Sequence, residues 1–341
     1  MRILIDAMGG DHAPNAIVQG AIDAAKEFDV QIVLVGRGEA ILKSLSDLGY
    51  ETLPKGIEVA NADDVVDMHD DPATVIRTRK DSSMVVGLRM LSEGEGDAFI
   101  SAGSTGALLS AATLIVKRVK GIRRAAFCPE IPTDNKTLLV DCGANSECTP
   151  EFLLQFAYLG TVYAEQVQGK TNPSVGLLNI GAEETKGTAL QKEVYGLLQK
   201  AHKQGLINFV GNVEARDVPL GAVDVVVTDG FSGNILLKSI EGTASFMAKM
   251  MKSMFKKNLL TKLAALACKS GIDAFKKRMD YREVGGTMLL GITKPVVKAH
   301  GSSDARAIRS AVCQAMEAAK SDLTPTLQAV APQLAKMMKE E

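Results

Sequence analysis

The sequence predicts an α/β protein built on a mostly parallel, doubly wound sheet, and three observations carry that prediction. Short runs rich in Val, Ile and Leu alternate with segments of helical periodicity. The runs lack clean period-two alternation, as strands covered by helices on both faces do. Glycine-rich polar turns sit where the runs end. The expected strands are 2–6, 31–35, 97–101, 137–141, 174–179, 207–210 and 223–228. The expected helices are 14–28, 37–48, 82–93, 104–118, 150–167 and 186–203. From about residue 232 the pattern turns mainly helical, with one more apolar run at 284–291 and two closing helices at about 303–320 and 323–338. No repeat and no Pro/Gly/Ser linker divides the chain, so residues 1–341 read as a single domain.

Composition bounds the function. With 341 residues, 46% of them hydrophobic and 23% charged, the chain can bury a large core and still present a polar surface. Lys plus Arg is 39 against 40 for Asp plus Glu, a balance that excludes neither nucleic acid nor membrane. The five cysteines, 128, 142, 148, 268 and 313, form no CxxC pair and no His-Cys cluster, which points to reduced thiols in a cytoplasmic setting. The first residues read as a strand, without the pattern of a secretory signal, and no apolar stretch reaches the roughly 18 residues of a membrane span. The protein is expected to be cytoplasmic and at most to lie on a membrane.

Five turns carry the chemistry. They are Asp6 to Pro14 with Gly9, Gly10 and Asp11; Ser101 to Gly106 with Gly103, Ser104 and Thr105; Asp141 to Asn145; Asn179 to Gly187 with Lys186; and Asp229 to Asn234 with Ser232 and Gly233. Ligands of open α/β sheets bind beyond the carboxyl ends of strands, and all five turns are expected on one side of one sheet. A Gly-Ser-Thr-Gly turn opening a helix aims free N–H groups and hydroxyls at an anion. Neither a Walker A loop nor a GxGxxG fingerprint is present, so no nucleotide cofactor is indicated. His300 precedes Gly301, Ser302 and Ser303; one of the two serines is expected to cap the next helix, with Arg306 one turn in. His12 is a weaker candidate, and His69 and His202 read as surface residues. Cys142 sits in a ligand-end turn, but a space-filling role fits it better than a nucleophile's. The carboxylates of Asp6, Asp11, Asp141 and Asp229 are read as orienting turns rather than holding a metal.

Residues 245–282 hold ten Lys or Arg against two Asp, a local charge of +8 in a chain whose formal total is −1. Met247, Met250, Met251 and Met254 recur at helical spacing, and Leu259, Leu263 and Leu266 continue the apolar pattern, as do Ile272, Phe275 and Met279. Asn258 marks a break between two helices. The segment is expected to be a basic amphipathic hairpin. Its contacts would be Met251, Met254, Leu259 and Leu263 with Lys256, Lys257 and Lys262, facing an anionic lipid or an acidic carrier protein; packed helices with a solvated basic face are the plainer alternative.

Taken together, DAMGGDHAP (6–14), SAGSTGA (101–107), DCGAN (141–145), NIGAEETKG (179–187), GNVEARD (211–217), DGFSGN (229–234) and PVVKAHGSSDARA (295–307) resemble the bacterial acyl carrier protein:phosphate acyltransferase family called PlsX. The resemblance covers essentially the whole chain, and the set is specific where no single motif is. It implies a Rossmann-like three-layer α/β/α sandwich related to phosphotransacetylases and to isocitrate/isopropylmalate dehydrogenases, with the hairpin protruding. It implies a homodimer that transfers a long-chain acyl group from acyl carrier protein to inorganic phosphate, without nucleotide or metal. The acyl phosphate then passes to a membrane glycerol-phosphate acyltransferase for phospholipid synthesis. On that reading phosphate binds at the helix starts Gly103, Ser104 and Thr105 and Gly301, Ser302 and Ser303, with Lys186 as its cationic partner, while Gly9, Gly10 and Asp11 contact phosphate or the acyl group. Asp229, Ser232 and Gly233 belong to the same substrate site. Asn145, Asn234 or nearby backbone N–H groups would hold the developing oxyanion, and His300 would assist the leaving thiolate or bind phosphate.

Overall fold

A computed structural model describes residues 1–278 and 281–337. Met279, Asp280 and residue 338, which fell within the expected hairpin and last helix, lie outside the described residues.

The strands are β1 Arg2–Asp6, β2 Gln31–Gly36, β3 Ile57–Asn61, β4 Ala98–Ser101, β5 Ala126–Cys128, β6 Leu138–Val140, β7 Ser174–Asn179, β8 Asn208–Glu214, β9 Val225–Val227, β10 Gly286–Leu290 and β11 Val296–Ala299. The helices are α1 Asn15–Glu27, α2 Gly38–Asp47, α3 Val75–Thr78, α4 Ser83–Glu93, α5 Thr105–Ala111, α6 Pro150–Gln166, α7 Ala189–Lys203, α8 Gly230–Phe255, α9 Leu259–Ala267, α10 Lys269–Arg278, α11 Ala305–Lys320 and α12 Leu323–Met337. The strands form two sheets, a seven-stranded one in the order β3-β2-β1-β4-β11-β10-β5 and a four-stranded one in the order β6-β9-β7-β8. All pairings are parallel except those of β10, which runs against both β11 and β5.

This corrects the expectation of one sheet. The turns after β1 and β4 end strands of the larger sheet, while those after β6, β7 and β9 end strands of the smaller one. Hydrophobic patterning marks a strand as buried on both faces but does not name its neighbours.

Helices cover both faces. Residues alternate along β1, with Ile3 and Ile5 joining one core and Leu4 the other. Helix α6 is buried without a break from Leu153 to Ala164, packed against β6, β9, α7 and α12. The segment expected as one helix over 104–118 is α5 followed by a π-helical turn, Ala112–Val116, that stops at Lys117 with φ 74°. Asp229 caps α8, whose 26 residues carry the chain away from the site. Asn258 then caps α9 through reciprocal bonds with Thr261, 2.9 Å and 3.0 Å, so the break expected there is present. Around that break Met250 (55% exposed), Met254 (54%), Leu259 (73%), Leu260 (77%), Leu263 (55%) and Leu266 (68%) have no cover. Lys256, Lys257 and Lys262 are exposed beside them, and Met251 is half-buried. No helix among the described residues is long and apolar enough to cross a membrane.

Candidate functional site

Three turns of the larger sheet close on one another. The N–H of Asp11, after β1, donates to the carbonyl of Gly301, after β11, at 2.8 Å. A β-carbon on Gly9 would lie 2.6 Å from Asp6 Oδ2 and 2.7 Å from the nitrogen of Gly103, after β4. Gly10, at φ 105°, has Ala102 and the carbonyl of Gly301 equally close. Glycine is required at 9 and 10 because backbone meets backbone there and no side chain fits.

Beneath these turns Asp6 is buried and holds them in register. Its Oδ1 accepts from Ser83 Oγ at 2.6 Å and from the N–H of Met8 at 3.1 Å, and its Oδ2 accepts from Ser101 Oγ at 2.6 Å. Ser101 Oγ in turn accepts from the N–H of Gly103 at 3.0 Å. Burial raises the Asp6 pKa, opposed by the hydrogen bonds from Ser101 and Ser83.

The opening turn of α5 at Ser104 carries no side-chain cap. The other two helix starts differ. Asp229 accepts from the N–H of Ser232 at 2.8 Å, and Asp304 from the N–H of Ala307 at 3.0 Å. Asp304 therefore caps α11, in place of the serine expected there, because its carboxylate reaches the third helical N–H. The Ser303 hydroxyl is instead buried and meets no hydrogen-bond partner among the described residues.

His300 accepts at Nδ1 from the N–H of Ser302 at 3.2 Å, with Ser302 Oγ 2.8 Å away. A backbone N–H can only donate, so in the neutral ring Nε2 carries the proton and is a donor. Burial and then the nearby Lys238 charge lower the His300 pKa, which keeps it neutral near pH 7.

The smaller sheet supplies the facing wall. Asp141 is buried and accepts from the N–H groups of Phe127 at 2.8 Å, Cys142 at 2.6 Å and Asn145 at 2.7 Å. Asn145 commits both amide hydrogens, to Asp141 Oδ2 at 2.9 Å and to the carbonyl of Ala125 at 2.8 Å. The oxyanion role expected of Asn145 is corrected accordingly, since this amide builds the loop. Asn234 stands exposed on the first turn of α8 beside Gly143, where an added β-carbon would lie 3.9 Å from Asn234 Oδ1. Gly233 lets α8 start against β6, since a β-carbon there would fall 2.0 Å from the Asp141 carbonyl oxygen. Lys238, paired with Glu241 at 2.7 Å, acts electrostatically on His300, Lys298 and Cys142. Helix α8 thus links both sheets' turns. Burial and Asp141 push the Cys142 thiol up to about 12, leaving it a poor nucleophile. Lys186 lies exposed in the loop after β7, where its backbone carbonyl accepts from Asn179 Nδ2 at 3.2 Å.

Sequence reasoning passed over Lys298, Lys238, Ser83 and Ser101 as site residues. A lysine inside the apolar run Val296-Val297-Lys298-Ala299 was a signal available for the first. Asp6, Asp141 and Asp229 each hold protein donors, and no metal-holding group of three or more His, Cys, Asp or Glu occurs among the described residues.

A family model described as "Fatty acid synthesis protein" matches residues 1–325. A phosphate acyltransferase of Thermoanaerobacterium thermosaccharolyticum is 47% identical over 329 residues, 96% of both chains. One from Oceanobacillus iheyensis is 45% identical over the whole of both. Among solved structures, a phosphotransacetylase from Streptococcus pyogenes aligns with TM-score 0.62 at 17% identity over 94% of each chain. A 4-hydroxythreonine-4-phosphate dehydrogenase from Klebsiella pneumoniae aligns with TM-score 0.57 at 13% identity, over 94% of this chain and 99% of its own. Those two likenesses establish the three-layer α/β fold, and the close relatives establish the rest: the chain belongs to the phosphate acyltransferase family.

Proposed function

We propose that this chain transfers a long-chain fatty acyl group reversibly from acyl carrier protein to inorganic phosphate, giving an acyl phosphate for phosphatidic acid synthesis. The observation that carries the reading is the convergence of the turns at Gly9, Gly103 and Gly301 beside a neutral histidine. Phosphate dianion needs no base to become a nucleophile; it needs desolvation, alignment and a counter-charge. One phosphate oxygen attacks the thioester carbon, the C–O bond forms, and the C–S bond breaks as the tetrahedral intermediate collapses. The thiolate, with a pKa of about 8.5 in free form, leaves and takes a proton from solvent or a nearby donor.

In this reading Ser104, Thr105 and the hydroxyl of Ser302 receive phosphate, with Gly103 and the buried Ser303 shaping the turns around it and Lys186 approaching as a cation from the smaller sheet. Asp11 fastens one turn to the next through its N–H, and its carboxylate does not touch the anion. Asp229, Ser232 and Gly233 set the start of α8, from which Asn234 offers an amide to the carbonyl oxygen. His300 donates from Nε2 to that oxygen or to phosphate. The buried, high-pKa thiol of Cys142 supports direct attack over an acyl-cysteine route.

The exposed apolar tip of α8 and α9, ringed by Lys256, Lys257 and Lys262, supports reversible contact with an anionic membrane, beside a glycerol-phosphate acyltransferase. The same surface suits a homodimer or the acidic carrier protein. The location proposed is cytoplasmic with peripheral membrane contact. The decisive experiment measures phosphate-dependent release of free carrier protein from long-chain acyl carrier protein, with acyl-coenzyme A as the competing donor. Release with the carrier substrate, several-fold above that with acyl-coenzyme A, is expected. Equal or better use of short acyl-coenzyme A would make the chain a phosphotransacetylase of another kind.

A further inference from the structure

We propose that Lys298 is a phosphate-binding residue of the acyl-transfer site, supplying the positive charge beneath the three converging turns. The inference rests on the reaction proposed above and adds to it a cation from the larger sheet. Its first support is register. Lys298 pairs with Ser101 across β11 and β4, and Ile5 pairs with Ile100 across β1 and β4, so Asp6, Ser101 and Lys298 form one row over three neighbouring strands. In-register residues of parallel strands point to the same face. That face is the one toward which Ser101 reaches Asp6, and the row lies at the strand ends from which the turns at Gly9, Gly103 and Gly301 rise.

The second support is the company Lys298 keeps. Its neighbours on the strand, Val297 and Ala299, are fully buried. A lysine kept for stability in such a place is paired with a carboxylate. Among the described residues Lys298 forms no ion pair, and the one side-chain hydrogen bond it makes there is donated to the carbonyl of Ala299. The acid in its own row, Asp6, forms no ion pair with it among the described residues and is held instead by Ser83, Met8 and Ser101. An ammonium has three donors, so two remain for a ligand. An anion placed beyond the row would receive them beneath the turns at Gly9, Gly103 and Gly301.

The charged groups facing Lys298 are Asp6 of β1, Asp11 of the turn after it and Lys238 of α8, with His300 two residues further along its own chain. Burial is the largest influence on the ammonium, and with Lys238 it outweighs the two aspartates, pushing the pKa down to about 8. A bound dianion would hold that proton in place. Without it, the cation is lost as the pH rises through about 8.

The test compares wild type with Lys298→Met and Lys298→Arg. Phosphate binding is followed by calorimetry and turnover by varying phosphate at saturating acyl carrier protein substrate. Lys298→Met is expected to raise both the phosphate Kd and its KM by at least about tenfold, with the acyl-donor KM changed less than about twofold. In wild type, phosphate affinity should fall as the pH rises from about 8 to about 9.5, where phosphate stays dianionic throughout. Lys298→Arg should restore affinity to within about fivefold of wild type and lose that alkaline fall. A folded Lys298→Met with phosphate Kd within about twofold of wild type overturns the assignment. Should the Met variant not fold, a wild-type phosphate affinity that stays flat over the same pH range overturns it. Phosphate binding that behaves as described in a protein without carrier-dependent turnover would leave Lys298 in place and refute the donor instead.

Discussion

Replacing Asp6 by alanine would remove the acceptor on which the site is hung. Three donors lose their partner, the hydroxyls of Ser83 and Ser101 and the N–H of Met8. The two serines sit in a region closed to water, with Ser101 fully buried and Ser83 nearly so, and the Met8 N–H is part-buried. A buried donor left unmet costs roughly 1–3 kcal/mol, so the three together cost about 6 kcal/mol. With an unfolding entropy of about 2.1 cal/mol/K per residue, a protein of 341 residues loses about 1.4 °C of Tm per kcal/mol. The expected fall is about 8 °C in a thermal scan. Asp6→Asn keeps the shape and one acceptor oxygen, and the serine hydroxyls can turn to meet its amide, so its fall should be less than half as large. Because Ser101 also anchors the Gly103 N–H, the alanine variant should weaken phosphate use as well as stability. A Tm within about 2 °C of wild type for Asp6→Ala would refute the account of Asp6 as the buried post of these turns.

His300→Ala should lower kcat by about 10²–10³, the usual effect of losing one donor to developing charge, whereas His300→Gln should retain about a tenth of activity by keeping an N–H near Nε2; equal losses in both would remove the donor role. Because the His300 pKa is depressed in the folded chain, the unfolded chain binds the proton more readily. Its stabilising share is present above the ordinary histidine value near 6.5 and is lost as the pH falls from there through the lower folded value, which acid unfolding of wild type against His300→Gln would reveal. Cys142→Ala should keep most activity, and an acylated Cys142 found by mass spectrometry would replace direct attack with a two-step route. Lys186→Ala should lower phosphate-dependent turnover at least about 10²-fold, and an ordinary phosphate KM in the folded variant would take Lys186 out of the site. Replacing Leu259 and Leu263 with Glu should abolish binding to anionic vesicles while sparing turnover; unchanged vesicle binding would make this surface an interface between copies of the chain.

The turns were legible because glycine, serine and asparagine at the end of an apolar run have a local cause: the chain must reverse and leave N–H groups unmet. The long strands were legible for the same kind of reason, since their apolar runs exceed what chance supplies. Strand β3 was missed because, as a sheet edge, only Ile57 among its five residues is fully buried, so Glu58 and Asn61 dilute the pattern. Strands β5 and β11 were missed although β6 and β9 are as short, because Ala126-Phe127-Cys128 lacks their Val/Leu composition and Lys298 interrupts the apolar run of β11. The apolar run over 284–291 proved to contain β10, whose antiparallel direction no composition reveals. The division into two sheets was hidden because strand pairing is a property of partners far apart in sequence. The same limit hid the row of Asp6, Ser101 and Lys298, whose members lie 95 and 197 positions apart and meet only once β1, β4 and β11 are side by side. Asn145 misled for the opposite reason: its place in a ligand-end turn was right, but the amide faces inward.

Helix α8 connects the two regions that the sequence marked separately. Its first turns carry Asn234 and Lys238 at the chemistry, and its last carry Met250 and Met254 among the exposed apolar side chains. At 1.5 Å per residue its 26 residues extend about 39 Å, so the exposed end of the helix at Phe255 lies about 25 Å along its axis from Lys238. That distance separates location from catalysis. A charge introduced at the tip is screened over the roughly 10 Å Debye length of 0.1 M salt and cannot alter the phosphate site electrostatically. Any loss of turnover in a folded variant with Glu at 259 and 263 must therefore arise from contact with the acyl donor or with a second copy of the chain. Comparing a minimal soluble acyl donor with the carrier-bound one distinguishes these. If only the carrier-bound reaction falls, the tip takes part in receiving the carrier. If both fall, and in proportion to loss of the dimer, the tip assembles the enzyme. If neither falls, α8 serves to hold a working site at a chosen distance from the surface where its product is used.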